Sequence, residues 1–165
     1  MTPLPPPLGT GEIRFWRLDD QVHAQTWDSG EGSFRVGGRW NSPGVRAVYA
    51  SLDPSTAILE VAVHKTFRVL DTKPHVMTSA RITDPGTIHV VKPVHVPNPN
   101  WLAPCPPNTN QQKFGDNLLA HYRFILIPSA VSPHSWNLIF NSTKPSSDYK
   151  DVKQERFALD PRLQD

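Results

Sequence analysis

A single cysteine, Cys105, stands in a chain of 165 residues and 18.5 kDa. That excludes an intramolecular disulfide and a multi-cysteine zinc site. The seven histidines show no metal-ligand spacing, so no metal is expected. An excess of one charge is also missing. Lys plus Arg total 17 against 15 Asp plus Glu, a formal net charge of +2, too small for the concentrated basic face that nucleic acid binding requires. No apolar run approaches the ~18 residues needed to cross a bilayer, so no membrane partner is expected. The opening MTPLPPPLGTGE lacks a basic n-region and an apolar h-region, so it does not read as a secretory leader. A reducing, cytoplasmic location is compatible with all of this.

Proline is abundant: 18 of 165 residues, about twice the usual ~5%. Five Trp, seven Phe and three Tyr argue against the disorder that proline alone suggests. Four prolines fall in the first seven residues and seven more between Pro85 and Pro107. That distribution excludes a coiled coil, a long helical bundle and a collagen-like chain. The length fits one domain able to bury its own core. Residues 1–12 read as a proline-rich lead-in, with its first nine residues mobile, and residues 13–165 as a single domain.

Aromatic residues make 13–18 a strand. Mostly polar residues run from there to Phe34, and the turn-rich Gly37-Gly38-Arg39-Trp40-Asn41-Ser42-Pro43-Gly44 follows. Residues 47–50 form a short apolar strand. Asp53-Pro54 is a helix start, an Asx cap followed by proline at the first helical position, and the helix runs to about residue 65. Strands are expected at 75–82 and 87–96, a proline-rich surface loop at 97–107, and a second helix at 111–122. Apolar strands follow at 124–127 and 136–140, with a last strand over 156–160. Mixed strands with few helices predict an α+β fold rather than a doubly wound parallel sheet.

Glu60 is the most informative single residue. Its helix reads Ala57-Ile58-Leu59-Glu60-Val61-Ala62-Val63, apolar nearly all round, a pattern of buried helices. A carboxylate there must reach solvent, line a cavity or meet a partner, because burying it unpaired is costly. The plainer reading is a narrow exposed stripe with Thr56 and His64. Arg39, in its glycine turn, suits phosphate binding or is simply an exposed turn residue. Tyr49 alone reads as core, and Ser129, after Pro128, as a turn residue. Gly9-Thr10-Gly11 opens a dinucleotide fingerprint that fails at Arg14, and there is no P-loop, HExxH or GxSxG.

Taken together these pieces resemble the RES domain family, named for an Arg, a Glu and a Ser. The resemblance rests on the 37–44 turn, on Val48-Tyr49-Ala50-Ser51, and on Ala57-Ile58-Leu59-Glu60-Val61. It continues through Gly115-Asp116, Ile127-Pro128-Ser129-Ala130-Val131, Trp136-Asn137-Leu138-Ile139 and Phe157-Ala158-Leu159-Asp160-Pro161-Arg162-Leu163. It spans 13–163.

The resemblance implies a mixed, split β-sheet like that of diphtheria-toxin-like ADP-ribosyltransferases, and a cytoplasmic toxin of a bacterial toxin–antitoxin pair. It implies cleavage of the nicotinamide–ribose bond of NAD+, a substrate rather than a cofactor, with water, phosphate or a protein as acceptor. The implied site is Glu60, Arg39, Tyr49 and Ser129, with Arg17 and Asn137 as further NAD+-binding candidates. Positive charge builds on the ribose as such a bond breaks, and Glu60 would stabilise it. Arg39 and Arg17 would hold the pyrophosphate, Tyr49 would stack on the nicotinamide or ribose, and Ser129 would bind the nicotinamide end or orient Glu60. The implied partner is an antitoxin with a helix-turn-helix, Xre-like region, and a homodimer or a hetero-oligomer with that antitoxin is compatible. One alternative is an ADP-ribosyltransferase acting on a protein; another is an interaction protein that has lost catalysis. The family's N-P-x-H-P continuation is replaced here by Asn141-Ser142-Thr143-Lys144-Pro145, which bears on acceptor choice.

Overall fold

A computed structural model describes residues 12–101, 108–143 and 146–164. Seven strands build one sheet: Arg14–Asp20 (β1), Val48–Ser51 (β2), His75–Ile82 (β3), Ile88–Val90 (β4), Phe124–Pro128 (β5), Trp136–Phe140 (β6) and Tyr149–Phe157 (β7). Their order is β4-β5-β6-β2-β1-β3-β7. Among the described residues only β4 and β5 run parallel; the other pairings are antiparallel. The helices are Glu31–Val36 (α1), Pro54–Thr72 (α2) and Thr109–His121 (α3). This is the α+β architecture expected from the sequence.

The sheet is split. β1 pairs with β3 along its whole length, from Arg14↔Arg81 to Asp20↔His75. β2 pairs with β6 from Val48↔Phe140 to Ser51↔Asn137. Between β1 and β2 the register holds only at Trp16↔Ser51. The two half-sheets therefore meet at one residue pair and part beyond it.

Period-two alternation gives the strands two distinct faces. One face buries Phe15, Val48, Ala50, Ala80, Phe124, Leu126, Leu138 and Phe140 around Trp27. Its rings pack at aromatic contact distance, with Phe15 and Phe140 centroids 5.6 Å apart. The other face carries both long helices. Leu118 and Leu119 of α3 cover Ile125, Ile127 and Ile139. Ile58, Val61, Ala62 and Leu70 of α2 cover Leu18 and Met77. Tyr49, Ser51 and Asn137 belong to this same face by alternation, between the two helices.

The start of α2 follows from its cap. The Asp53 carboxylate accepts from the Thr56 N–H at 2.8 Å and from the Thr56 hydroxyl at 2.6 Å, and Pro54 takes the first helical position. The expected stop near residue 65 is a kink rather than an end. Thr66 adopts φ 67°, ψ 154°, and a further helical segment continues to Thr72. A β-branched residue at positive φ is strained, so packing of Leu70 against Leu18 and Leu159 holds the second segment in place.

Several expectations are corrected. The 19–34 stretch contains a helix, α1. β4 stops at Val90 instead of spanning 87–96, because Pro93 opens a 3-10 turn over Pro93–His95. The last strand is Tyr149–Phe157, and residues 158–160 lie beyond it. α2 is not buried all round: Leu59 is 38% and Val63 60% exposed. Residues 1–11, 102–107, 144–145 and 165 lie outside the described residues, so nearly all of the lead-in, most of the 97–107 loop and the end of the 141–145 departure do too.

Gly115 fixes where α3 sits. A Cβ at this position would stand 1.9 Å from the Trp40 carbonyl oxygen, which only a backbone shift can relieve. Gly115→Ala is expected to destabilise the fold by about 3 kcal/mol, read as a lower urea midpoint at unchanged m-value. An unchanged midpoint would show that the turn and helix do not pack as described.

Candidate functional site

Glu60 lies two helical turns after its cap residue Asp53, on the side of α2 that overhangs the split sheet. Its Oε1 accepts two short hydrogen bonds, from the Ser129 hydroxyl at 2.6 Å and from Asn137 Nδ2 at 2.6 Å. Both donors are themselves fixed. Ser129, fully buried just after β5, accepts at Oγ from the Val131 N–H at 3.1 Å and the Ser132 N–H at 3.0 Å. Its own proton is thereby aimed at Glu60. Asn137 on β6 accepts at Oδ1 from the Ser51 hydroxyl at 2.8 Å. Among the described residues nothing donates to Oε2, so that oxygen keeps its lone pairs for a bound group. The exposed-stripe reading is overturned, because Thr56 is 2% exposed and bound to Asp53 while Glu60 meets partners on the sheet.

The glycine turn explains the other motif residues. Gly38 has no room for a side chain: a Cβ there would lie 2.6 Å from the Tyr49 hydroxyl. That hydroxyl donates to Asn41 Oδ1 at 2.6 Å and accepts from the Trp40 N–H at 3.0 Å. Asn41, fully buried, donates from Nδ2 to the carbonyls of Val45 and Ser33. Asp116 of α3 accepts from the Ser42 N–H at 2.9 Å, and Gln112 donates to the Gly38 carbonyl at 2.8 Å. The Gly115-Asp116 pair is therefore part of the same turn: one residue permits close approach and the other bonds it. Burial pushes the Tyr49 phenol well above its ordinary range, outweighing the opposing Trp40 hydrogen bond, so it stays a neutral hydroxyl.

The arginines are engaged by backbone. Arg39 donates from Nη1 to the Trp101 carbonyl at 2.7 Å. Arg17 donates to the Tyr49 carbonyl at 2.7 Å and pairs with Asp19 at 2.8 Å. Because Arg17 is on β1 and Tyr49 on β2, this guanidinium spans the split where the strands stop pairing. Burial raises the Asp19 carboxyl above its ordinary value, against the lowering effect of Arg17. Of the six residues singled out in the sequence, the structure brings Glu60, Ser129 and Asn137 into one hydrogen-bonded cluster. Tyr49, Arg39 and Arg17 form the surrounding turn and split. Sequence reading missed Ser51 as a member of the cluster, although its v-Y-a-S strand was itself part of the recognised pattern.

A cavity of about 300 Å³ opens among chain neighbours of the cluster, with Trp16, Leu52, Asp53, Ser135 and Trp136 in its lining. Among the described residues no group of three His, Cys, Asp or Glu is placed to hold a metal, and no helix is long and apolar enough to cross a membrane.

The fold class is α+β, built on a split sheet, and a solved structure shares it. A chain from the crystal structure of the M. tuberculosis MbcT–MbcA toxin–antitoxin complex superposes with a TM-score of 0.65 at 16% identity, covering 89% of this chain and 85% of that one. Residues 14–160 match the RES domain, and the chain belongs to that family. It is 35% identical over 136 residues to Toxin Res of Pseudomonas putida, covering 82% of this chain and 91% of the relative. It is 29% identical over 163 residues to the Prs ADP-ribosylating toxin of a Sphingobium species, covering 90% and 95%. Toxin Res of Photorhabdus laumondii is 32% identical over 152 residues, with the same coverages of 90% and 95%. The chain is thus a RES-domain toxin.

Tyr49→Phe tests the turn separately from the carboxylate. It strips the Trp40 N–H of its acceptor and Asn41 Oδ1 of its donor, and is expected to cost about 1–3 kcal/mol in chemical denaturation. A loss near zero would show that the hydroxyl does not hold the turn.

Proposed function

We propose that this chain cleaves NAD+ at the nicotinamide–ribose bond and passes ADP-ribose to water or phosphate. The observation that carries the reading is the Glu60 carboxylate, fixed through one oxygen by Ser129 and Asn137 with the other available. Departure of nicotinamide leaves an oxocarbenium-like ribose. A preorganised negative charge beside the anomeric carbon stabilises that cation without reorganising during the reaction. Ser129 and Asn137 keep the carboxylate in place. In this reading Tyr49 offers its ring to the nicotinamide or ribose, and Arg39 and Arg17 supply positive charge at the turn and the split for the pyrophosphate. The named toxins among the relatives support this reading.

A second reading has one observation behind it. The Sphingobium relative, 29% identical over 90% of this chain, carries the name Prs ADP-ribosylating toxin, which favours transfer of ADP-ribose to an acceptor such as a protein. We further propose that an antitoxin with a helix-turn-helix, Xre-like region restrains the toxin; the solved neighbour comes from a toxin–antitoxin complex. A cytoplasmic site of action fits an NAD+ substrate.

Purified protein incubated with NAD+, with and without phosphate, is expected to release nicotinamide. Glu60→Gln should lower the rate by about 10²–10³-fold, the scale of losing one preorganised electrostatic group, with unchanged thermal unfolding. No release by folded wild-type protein, with or without phosphate, would refute cleavage. Labelled NAD+ in lysate separates the acceptors: a labelled protein band supports the second reading.

A further inference from the structure

We infer that Ser51 is a positioning residue for Glu60, acting through Asn137; the inference rests on the NAD+-cleaving reading above. The argument begins with the asparagine amide. A carboxylate only accepts, so Asn137 must face Glu60 with Nδ2, as it does at 2.6 Å. Its Oδ1 then points away from Glu60, across to β2, and needs a donor of its own. Ser51 provides that donor at 2.8 Å.

The position of Ser51 makes this donor rigid. It is 2% exposed and ends β2. It is the cross-strand partner of Asn137 on β6 and also of Trp16 on β1. It therefore occupies the one residue pair at which the two half-sheets are joined. A hydroxyl anchored there ties the Asn137 amide to the point where the split begins. Glu60 is thus held from two sides, through Ser129 on the β5 side and through Ser51 and Asn137 on the β2–β6 side.

Without the Ser51 hydroxyl, Asn137 Oδ1 loses its donor at a half-buried position, and an amide oxygen left without its partner there is costly. The amide then gains by rotating away, and Glu60 loses one of its two donors. The carboxylate keeps its place on α2 but is no longer held in one orientation. The effect falls on the reacting geometry, hence on kcat, while the groups proposed to bind the pyrophosphate are untouched.

The test is a double-mutant cycle of Ser51→Ala and Asn137→Ala, read by nicotinamide release. Ser51→Ala alone is expected to lower kcat about tenfold, the scale of one hydrogen bond, with KM changed less than twofold. In the Asn137→Ala background the same substitution should cost less than twofold, because the residue it acts through is gone. An equal loss in both backgrounds would overturn the inference and leave Ser51 with a purely structural role. Should Ser51→Ala fail to fold, Ser51→Cys, close in size but a weak donor, takes its place with the same expected pattern and the same refuting one. A readout independent of turnover is the Asn137 side-chain amide in ¹⁵N-labelled protein, assigned by its absence from Asn137→Ala. In Ser51→Ala its resonances should move and exchange faster with water; unchanged resonances would overturn the inference. If wild-type protein releases no nicotinamide, the proposed function fails, and the amide signal still decides whether Ser51 positions Asn137.

Discussion

The structure depends on one carboxylate held against a sheet by neutral donors. Glu60 sits on a helix whose inward residues beyond the capped first turn are otherwise apolar, and Leu18 and Met77 receive that apolar face. A charged group beside such packing is tolerated only when its hydrogen bonds are made. Ser129 and Asn137 make them, both to the same oxygen. This requires three elements far apart in sequence to agree in position. The Asp53 cap sets where α2 begins and so which residue overhangs the sheet. Pro128 ends β5 just before Ser129, and the β2–β6 register brings Asn137 alongside Ser51.

Much of the remaining sequence pattern first builds the turn and the split around the site. Gly38, Asn41, Tyr49, Gly115 and Asp116 form one continuous set of contacts that folds the glycine turn onto α3. The side chains that look chemically expressive in sequence, an asparagine and an aspartate beside glycines, are spent on backbone groups that loops leave unpaired. Arg17 belongs to the same logic. β1 and β2 separate after a single pair, and its guanidinium bridges the gap, bonded to the Tyr49 carbonyl and paired with Asp19.

The fold was legible where local chemistry is strong. Asp53-Pro54 marked the start of α2, and β-branched and aromatic runs marked β1, β3, β5 and β6. The sequence also carried Glu60, Ser129 and Asn137 in the right motifs. What it could not carry was their joint geometry, because no local pattern states that β2 lies beside β6. Ser51 illustrates the gap. Alone it is a small polar residue at a strand end, and only the register gives it a partner. The polar stretch before Phe34 hid α1, which is short and buries no residue. The exposure of Leu59 and Val63 was equally hidden, since an apolar helix signals burial without saying how much of it a sheet can cover.

The central claim is that the second oxygen of Glu60 faces the ribose of NAD+. The most direct measurement is a crystal structure of the Glu60→Gln protein with NAD+ bound. The account predicts the nicotinamide ribose against residue 60, with Ser129 and Asn137 still bonded to it and the pyrophosphate toward Arg39 or Arg17. A dinucleotide seated instead in the cavity between Trp16 and Trp136, with no contact to residue 60, would contradict it.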